Sequence, residues 1–397
     1  MAVMIQASTG TFARGSAVPD VTARLVAYAS RVGAAAAIIG WDPGAPYGRI
    51  VAGLHEAGVA AYVWLPVFAE YGAAAHPALD LWGRAHRAAV SDADDDFTFA
   101  CPSDPANIDL AVATYDRSFA GAGWDGVFLD KIRYSSFANG FAAGLGCYCL
   151  ECCAFYAARG AKVDAFRGLV DPGDQAVALR QAQDPQAAPR CSSTPHQAVE
   201  QGGHRPPVSK PLVPVAREGA TYRFADPVVD GMYRARADRI TTAVAQVVGA
   251  LRARGLAIGL DLFAPVLAYL VGQDTAALAG LADFVKPMIY RVTDAPAGIP
   301  YEVRHLKTEL AAAGYTVGDR LESLWGTTDL AGDDCLREQF AVLRGLGTPV
   351  YTGVEVNRLG FCPTSPQYVR STLAAAQSAG LAGAVLSWNV LADTVYP

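Results

Sequence analysis

The sequence predicts an eight-stranded parallel α/β barrel, the (β/α)8 or TIM-barrel architecture, as a single domain spanning residues 1–397. Three observations carry that expectation. Short apolar runs recur about eight times, each followed by a segment with apolar residues at helical spacing, the pattern of parallel strands joined by helical crossovers. The runs are continuously hydrophobic, as strands covered on both faces must be. Several end in charged or aromatic residues, where barrel strands deliver side chains to the C-terminal mouth. An open doubly wound sheet is the rival that the same alternation allows.

In chain order, the apolar runs place strands at 3–7, 35–39, 60–67 and 126–130, then at 257–263, 284–290, 349–355 and 384–388. Helical spacing fills the gaps at 21–30, 47–57, 105–120, 227–254, 301–313, 333–346 and 366–378. Two connections are long. The one at 68–101 carries Trp82, His86 and the acidic run Asp92, Asp94, Asp95, Asp96, expected to be a solvated loop or helix cap because EF-hand spacing and its Gly are missing. The one at 171–220 is rich in Gln, Pro, Ser and Ala with almost no aromatic residue. It cannot bury enough apolar surface to offset its ordering entropy. Residues 176–219 are therefore expected to be a disordered insertion after the fourth strand, with Cys191, His196 and His204 as bystanders.

The formal net charge is -6 and no Lys/Arg block stands out, which argues against nucleic acid and anionic lipid as partners and leaves small neutral substrates. The N-terminal residues lack a basic segment followed by a long apolar one, and other apolar runs are short or interrupted, so a soluble cytoplasmic protein is expected. Of eight cysteines, four crowd into Cys147, Cys149, Cys152 and Cys153. Thiols or metal ligands suit such spacing better than disulfides.

The run GVFLDKIRY, residues 126–134, makes Asp130 the first catalytic candidate, because charges crowd the end of an apolar strand. A period of two puts Asp130 with Phe128, Asp261 with Gly259 and Phe263, and Glu355 with Tyr351 and Gly353. Three acids thus end strands four, five and seven, where a barrel mouth brings them together. Paired carboxylates are what glycoside hydrolysis needs, one to protonate the leaving oxygen and one to attack the anomeric carbon or activate water. The plainer alternative is that each acid pairs with a neighbouring base, Lys131 or Arg133 for Asp130 and Arg358 for Glu355.

Asp42 beside Trp41, with Trp64, Tyr134, Tyr290 and Trp388, gathers at the same rim, where aromatic faces stack on sugar C–H groups; core packing is the alternative for each ring alone. Lys286 on the sixth strand is a possible Schiff-base amine. Extended strand geometry sets it roughly 13 Å below Tyr290, which fits better a buried partner of Asp261 or Asp130. Cys147, Cys149 and Cys152 have close thiolate spacing for a structural zinc, with Cys153 or Cys101 as the fourth ligand; reduced thiols are the alternative.

GVFLDKIRY, the CYCLECC loop, VKPMIYR, GVEVNR and the closing VLSWN together resemble uncharacterised bacterial (β/α)8 proteins grouped with glycoside hydrolases, over most of the chain outside the insertion. The resemblance implies a catalytic carboxylate at Asp130, a site shaped by Arg133 and Tyr134, and Glu355 as second acid. Those families commonly have Pro where Ser135 stands, and an Asn-Glu pair on strand four is missing here, so the acid and nucleophile roles stay open and Asp261 can stand in for Glu355. The expected function is retaining hydrolysis of an oligosaccharide or glycoconjugate with no cofactor required for catalysis. A Schiff-base lyase using Lys286 and a carbohydrate-binding barrel without turnover are the alternatives.

Overall fold

The apolar runs form eight parallel strands in the computed structural model, which describes residues 1–8, 18–42, 44–85, 98–170, 212–315, 324, 329–330, 332–357, 360 and 362–387. They are β1 (Ala2–Ser8), β2 (Ala34–Gly40), β3 (Ala60–Pro66), β4 (Gly126–Asp130), β5 (Ala257–Phe263), β6 (Phe284–Met288), β7 (Tyr351–Glu355) and β8 (Gly383–Ser387). Seven neighbouring pairs are hydrogen-bonded in parallel, including β8 back onto β1. The last seam, β6 to β7, is held by a parallel bridge from Val285 to Val350, with the Val285 N–H donating to the Pro349 carbonyl at 3.0 Å. Followed once round from Gly126, the paired registers return to position 118 of the chain, a shift of eight residues. Eight strands with a shear of about eight define the closed barrel.

The shear decides which strand-end residues share a level. Each step to the next strand at constant register descends by about one residue, since eight steps cost eight. Three strands on from Asp130 the register reaches Tyr351, so the level of Asp130 falls within about a residue of Glu355. Asp261, in register beside Asp130 by one-residue extension of the Leu129–Leu260 pair, lies about one residue lower.

The crossover helices are α1 (Val18–Val32), α2 (Tyr47–Glu56), α3 (Pro105–Ser118), α4 (Phe141–Leu145), α5 (Leu150–Ala158), α6 (Val163–Val170), α7 (Pro227–Arg252), α8 (Pro265–Ala268), α9 (Thr275–Ala279), α10 (Ile299–Ala312), α11 (Asp333–Leu343) and α12 (Pro366–Ser378). The start of α3, α7 and α12 is written in the sequence as an acid or serine followed by proline. Asp104, Asp226 and Ser365 each accept a hydrogen bond from a first-turn N–H, while the proline takes a position whose N–H would have no helical partner. The period of two separates two cores. Outward residues such as Ile5, Ile39, Val63, Leu129 and Leu260 pack under the helices, and inward Met4, Ile38, Trp64, Phe128, Phe284 and Val385 fill the barrel. A Cβ on Gly259 would lie 2.3 Å from the Phe284 ring and 2.7 Å from that of Phe128, so the stacking of those rings requires glycine there.

Most boundaries shift by one to three residues, and two larger differences have a clear physical cause. β6 stops at Met288 because the Ile289 N–H turns back onto the Pro287 carbonyl at 3.0 Å, so Tyr290 leaves the strand direction. The end of the expected insertion is ordered: Leu212 and Val213 are buried, and Ala216–Glu218 pairs with Thr221–Arg223 as an antiparallel hairpin. Hydrophobic burial at 212–213 overrides the polar composition that precedes it. The remainder of 176–219, with Cys191, His196 and His204, lies outside the described residues, as do His86 and the acidic run 92–96. Among the described residues no helix is long and apolar enough to cross a membrane.

Replacing 176–211 by a short Gly/Ser linker is expected to leave the melting temperature within a few degrees of the parent, since loop length adds closure entropy only slowly. Extending the deletion through Gly219 removes Leu212 and Val213 from the core, at about 1.5–3 kcal/mol for each buried side chain. Thermal unfolding of the two deletions should separate them clearly.

Candidate active site

The mouth-end acid of β4 is fixed from two sides. Asp130 is 7% exposed; Trp64 of β3 donates its Nε1–H to Oδ2 at 2.9 Å, and the Lys131 backbone N–H donates to Oδ1 at 2.5 Å. Lys131 adopts a φ of 51°, a left-handed turn that a non-glycine residue seldom takes, and this turn ends the strand. Its ammonium pairs with Glu70, also at positive φ, and lies 5.6 Å from the Trp41 ring. Trp41 in turn meets Trp64 edge-on, with centroids 4.5 Å apart. The expected Trp64 is therefore in the site, although as a hydrogen-bond donor to the carboxylate. Glu70 carries no sequence signal of its own.

Deeper in the barrel, Lys286 donates to Asp261 Oδ2 and to Gln6 Oε1, both at 2.9 Å, with the lysine and the aspartate essentially inaccessible. This is the buried partnership expected of Lys286. Burial pushes the Asp261 carboxyl up to about 7, with the Asp130 charge adding to it and the Lys286 ammonium opposing it. A Schiff base needs a neutral amine that a carbonyl can reach; an amine sealed in the barrel and committed to Asp261 and Gln6 does not provide one. The expected depth of Lys286 below Tyr290 is not found, because the turn at Ile289 brings the Tyr290 ring within 5.1 Å of the ammonium. Gly353 of β7 makes that approach possible: a Cβ there would sit 2.9 Å from the Tyr290 ring and 3.0 Å from Lys286 Cε.

Glu355 is wholly buried. Its Oε1 accepts from the Val292 N–H at 3.1 Å and the Thr293 hydroxyl at 3.3 Å, and Tyr368 of α12 donates its hydroxyl to Oε2. Burial raises its carboxyl above the ordinary range, partly offset by the Tyr368 and Val292 hydrogen bonds. Tyr290 links the three acids. Its buried hydroxyl is pushed well up by burial and then by the charges of Asp261, Glu355 and Asp130, with its bond to Ser387 opposing. One side chain thus lies within electrostatic reach of all three carboxylates.

Other expected site residues fall elsewhere. Arg133 lies between the rings of Phe99 and Phe263, 4.7 and 4.2 Å from their centroids, and donates to the Tyr134 carbonyl. Tyr134 belongs to the layer between barrel and helices: its hydroxyl meets that of Tyr156 on α5 at 2.8 Å, and its ring packs near Arg236 of α7. The expected rim position fails for Tyr134, which the chain after Lys131 carries into the helix layer, whereas Arg133 is buried within electrostatic range of Asp130 and Asp261. Asp42 is exposed and closes a turn by accepting from the Gly44 N–H at 2.9 Å. Trp388 and Arg358 lie outside the described residues. Gln6 and Tyr368 were not anticipated. Gln6 has a faint signal, a polar side chain inside an apolar strand, whereas Tyr368 enters from a helix start.

The cysteines assemble between the connections that follow β3 and β4. The sulfurs of Cys101, Cys147, Cys149 and Cys152 all lie within 4.8 Å of one another in a largely buried cluster. Cys101 is the fourth member, and Cys153 is buried apart from it.

No protein-family model matches the chain, and no curated protein matches it. Among solved structures it is similar to the glycoside hydrolase domain of PgaB (BpsB) from Bordetella bronchiseptica, at a TM-score of 0.55 and 13% identity over 98% of this chain and 94% of that one. The glycoside hydrolase domain of PelA from Pseudomonas aeruginosa follows at 0.41 and 14%, covering 98% and 95%. The spore cortex-lytic enzyme SleL of Bacillus megaterium QM B1551 gives 0.46 and 7%, covering 98% and 70%. At 13% identity the first likeness shows a shared barrel fold.

The buried ion pair has a measurable signature. Lys286→Met is expected to cost about 3–5 kcal/mol by leaving the Asp261 carboxylate without its partner, whereas Lys286→Met combined with Asp261→Leu should cost clearly less. Urea unfolding of the single and double variants tests this, and equal losses would contradict it.

Proposed function

We propose that the chain is a glycoside hydrolase acting on an oligosaccharide or glycoconjugate at the C-terminal mouth of the barrel. The observation that carries the reading is the placement of Asp130, Asp261 and Glu355 at the C-terminal ends of three barrel strands, with Asp130 and Glu355 within about a residue of one level and neither in ion-pair contact with a base among the described residues. The shared fold with the PgaB glycoside hydrolase domain supports it as analogy.

In this reading Asp130, oriented by Trp64 and the Lys131 N–H, attacks the anomeric carbon, and Glu355, wholly buried here and reached only once its Val292, Thr293 and Tyr368 partners give way to substrate, protonates the leaving oxygen from a carboxyl that holds its proton to higher pH. Water then cleaves the glycosyl-enzyme ester with Glu355 as base, returning the anomeric configuration it began with. Asp261, tied to Lys286, stays beneath the reacting centre as a source of field. Trp41, half-buried above Trp64, offers its ring to sugar C–H groups. The compartment we propose is the cytoplasm, where free thiols persist.

A glycan-library hydrolysis screen, with Asp130→Asn and Glu355→Gln as controls, is the direct test. Each substitution should lower kcat by about 10²–10⁴-fold, and NMR of the first-formed product should show retained configuration. Oligosaccharide binding by calorimetry that is unchanged in both variants, with no product from any glycan, would instead make the chain a carbohydrate-binding barrel.

The pH profile discriminates further. With Glu355 as the acid, kcat/KM falls as pH rises through its raised pKa. Tyr368→Phe removes a hydrogen bond that favours the ionised carboxylate, so the pKa rises and the alkaline limb should move to higher pH. A limb that stays fixed or moves down would remove Glu355 from the acid role.

A further inference from the structure

We propose that Cys101, Cys147, Cys149 and Cys152 bind one Zn²⁺ as a closed tetrathiolate that clasps the β3–α3 and β4–α5 connections together. Tetrahedral zinc with Zn–S of about 2.3 Å requires sulfurs roughly 3.8 Å apart. Cys101 Sγ lies 3.5 Å from that of Cys149 and 3.7 Å from that of Cys152, and every pair falls within 4.8 Å. A disulfide would instead bring two sulfurs to about 2.05 Å, and seven cysteines among the described residues are free.

The surroundings are those of thiolates. Three sulfurs each accept from a backbone N–H, Leu79 on Cys147 at 3.2 Å, Ser103 on Cys101 at 3.3 Å and Cys152 on Cys149 at 3.3 Å, and the Ser103 hydroxyl lies 3.0 Å from the sulfur of Cys152, where either group can donate. Backbone donors aimed at three of the four sulfurs favour acceptors that carry negative charge. Four such charges in one buried cluster repel unless a cation sits among them. Binding of one Zn²⁺ releases the four thiol protons to solvent and leaves a centre of net charge two minus. The buried Arg236, which donates to the carbonyls of Gly144 and Gly146, supplies positive charge next to the loop that carries Cys147. With four protein ligands the tetrahedron is full, so the ion is structural.

The placement gives the clasp its role. Cys101 follows Phe99, whose ring covers Arg133, and precedes Asp104, the cap of α3. Cys149 caps α5, whose Tyr156 holds the Tyr134 hydroxyl. This site is independent of the hydrolase proposal.

Protein purified without chelator is expected to carry about one equivalent of zinc by elemental analysis, and Cys153→Ser should keep it. Cys101→Ser and Cys152→Ser should fall below a tenth of an equivalent and melt at lower temperature. Should those variants fail to fold, the parent still decides: mercurial titration should release one zinc as four thiols react, and cobalt exchange should give the intense thiolate charge-transfer bands of a tetrahedral site. Folded parent with less than a tenth of an equivalent of zinc and all four thiols freely titratable, or with iron in its place, would overturn the assignment.

Discussion

Charged groups inside a closed barrel must be matched where they lie, because water is not there to do it, and the Lys286–Asp261 pair is the match on which this interior depends. Gln6 takes a second proton of the ammonium, Gly353 leaves space for the lysine stem, and Tyr290 folds back over it. Once Asp261 and Lys286 satisfy each other, neither can neutralise the other acids. Asp130 and Glu355 are left to hydrogen-bond donors that do not cancel a full charge. That division, one acid in direct ion-pair contact and two held directly by hydrogen-bond donors with Arg133 and Arg291 acting on them from a distance, is what makes the mouth chemically asymmetric.

The plainer expectation, each acid silenced by a neighbouring base, holds for Asp261 and fails for Asp130. Both bases beside Asp130 are committed elsewhere, Lys131 to Glu70 and Arg133 to two aromatic rings and a carbonyl. The left-handed turn at Lys131 is the physical cause. It points the Lys131 N–H back at Asp130 and leaves both cationic side chains with other direct partners, although Arg133 stays within electrostatic range of Asp130 and Asp261.

Much of this was legible because burial on two faces leaves a plain trace. β4 and β5 have the bounds their apolar runs predict, and α12 follows its helical spacing from Pro366 to Ser378. The three acids stood out because each interrupts an apolar run, and the partnership of Lys286 followed from alternation. What local pattern could not carry was anything decided by folding in three dimensions. Tyr368 reaches Glu355 from a helix start in another segment, Glu70 meets Lys131 across the β3 and β4 ends, and a three-residue turn at Pro287–Ile289 relocates Tyr290 by more than strand geometry allows. The fourth cysteine stayed open between Cys101, whose loop follows strand three on the same barrel face, and Cys153, because the choice depends on the distances that the fold sets.

The same fold ties the cysteine cluster to the carboxylates through backbone. The Val67 N–H donates to the Asp130 carbonyl at 2.9 Å and the Phe68 N–H to the Lys131 carbonyl at 3.3 Å; the Ala100 N–H then donates to the Phe68 carbonyl at 2.8 Å, one residue before Cys101. From the other side, the Tyr134 N–H bonds the Val271 carbonyl while its hydroxyl meets Tyr156 on the helix that Cys149 caps. Asp130 and Lys131 therefore sit on a hydrogen-bonded path anchored at both ends by residues next to the sulfurs. Loops at a barrel mouth are ordinarily its least constrained parts. Here the connections after strands three and four are fastened to each other, so the carboxylate between them can be held by a turn of unfavourable φ that an unsupported loop would relax.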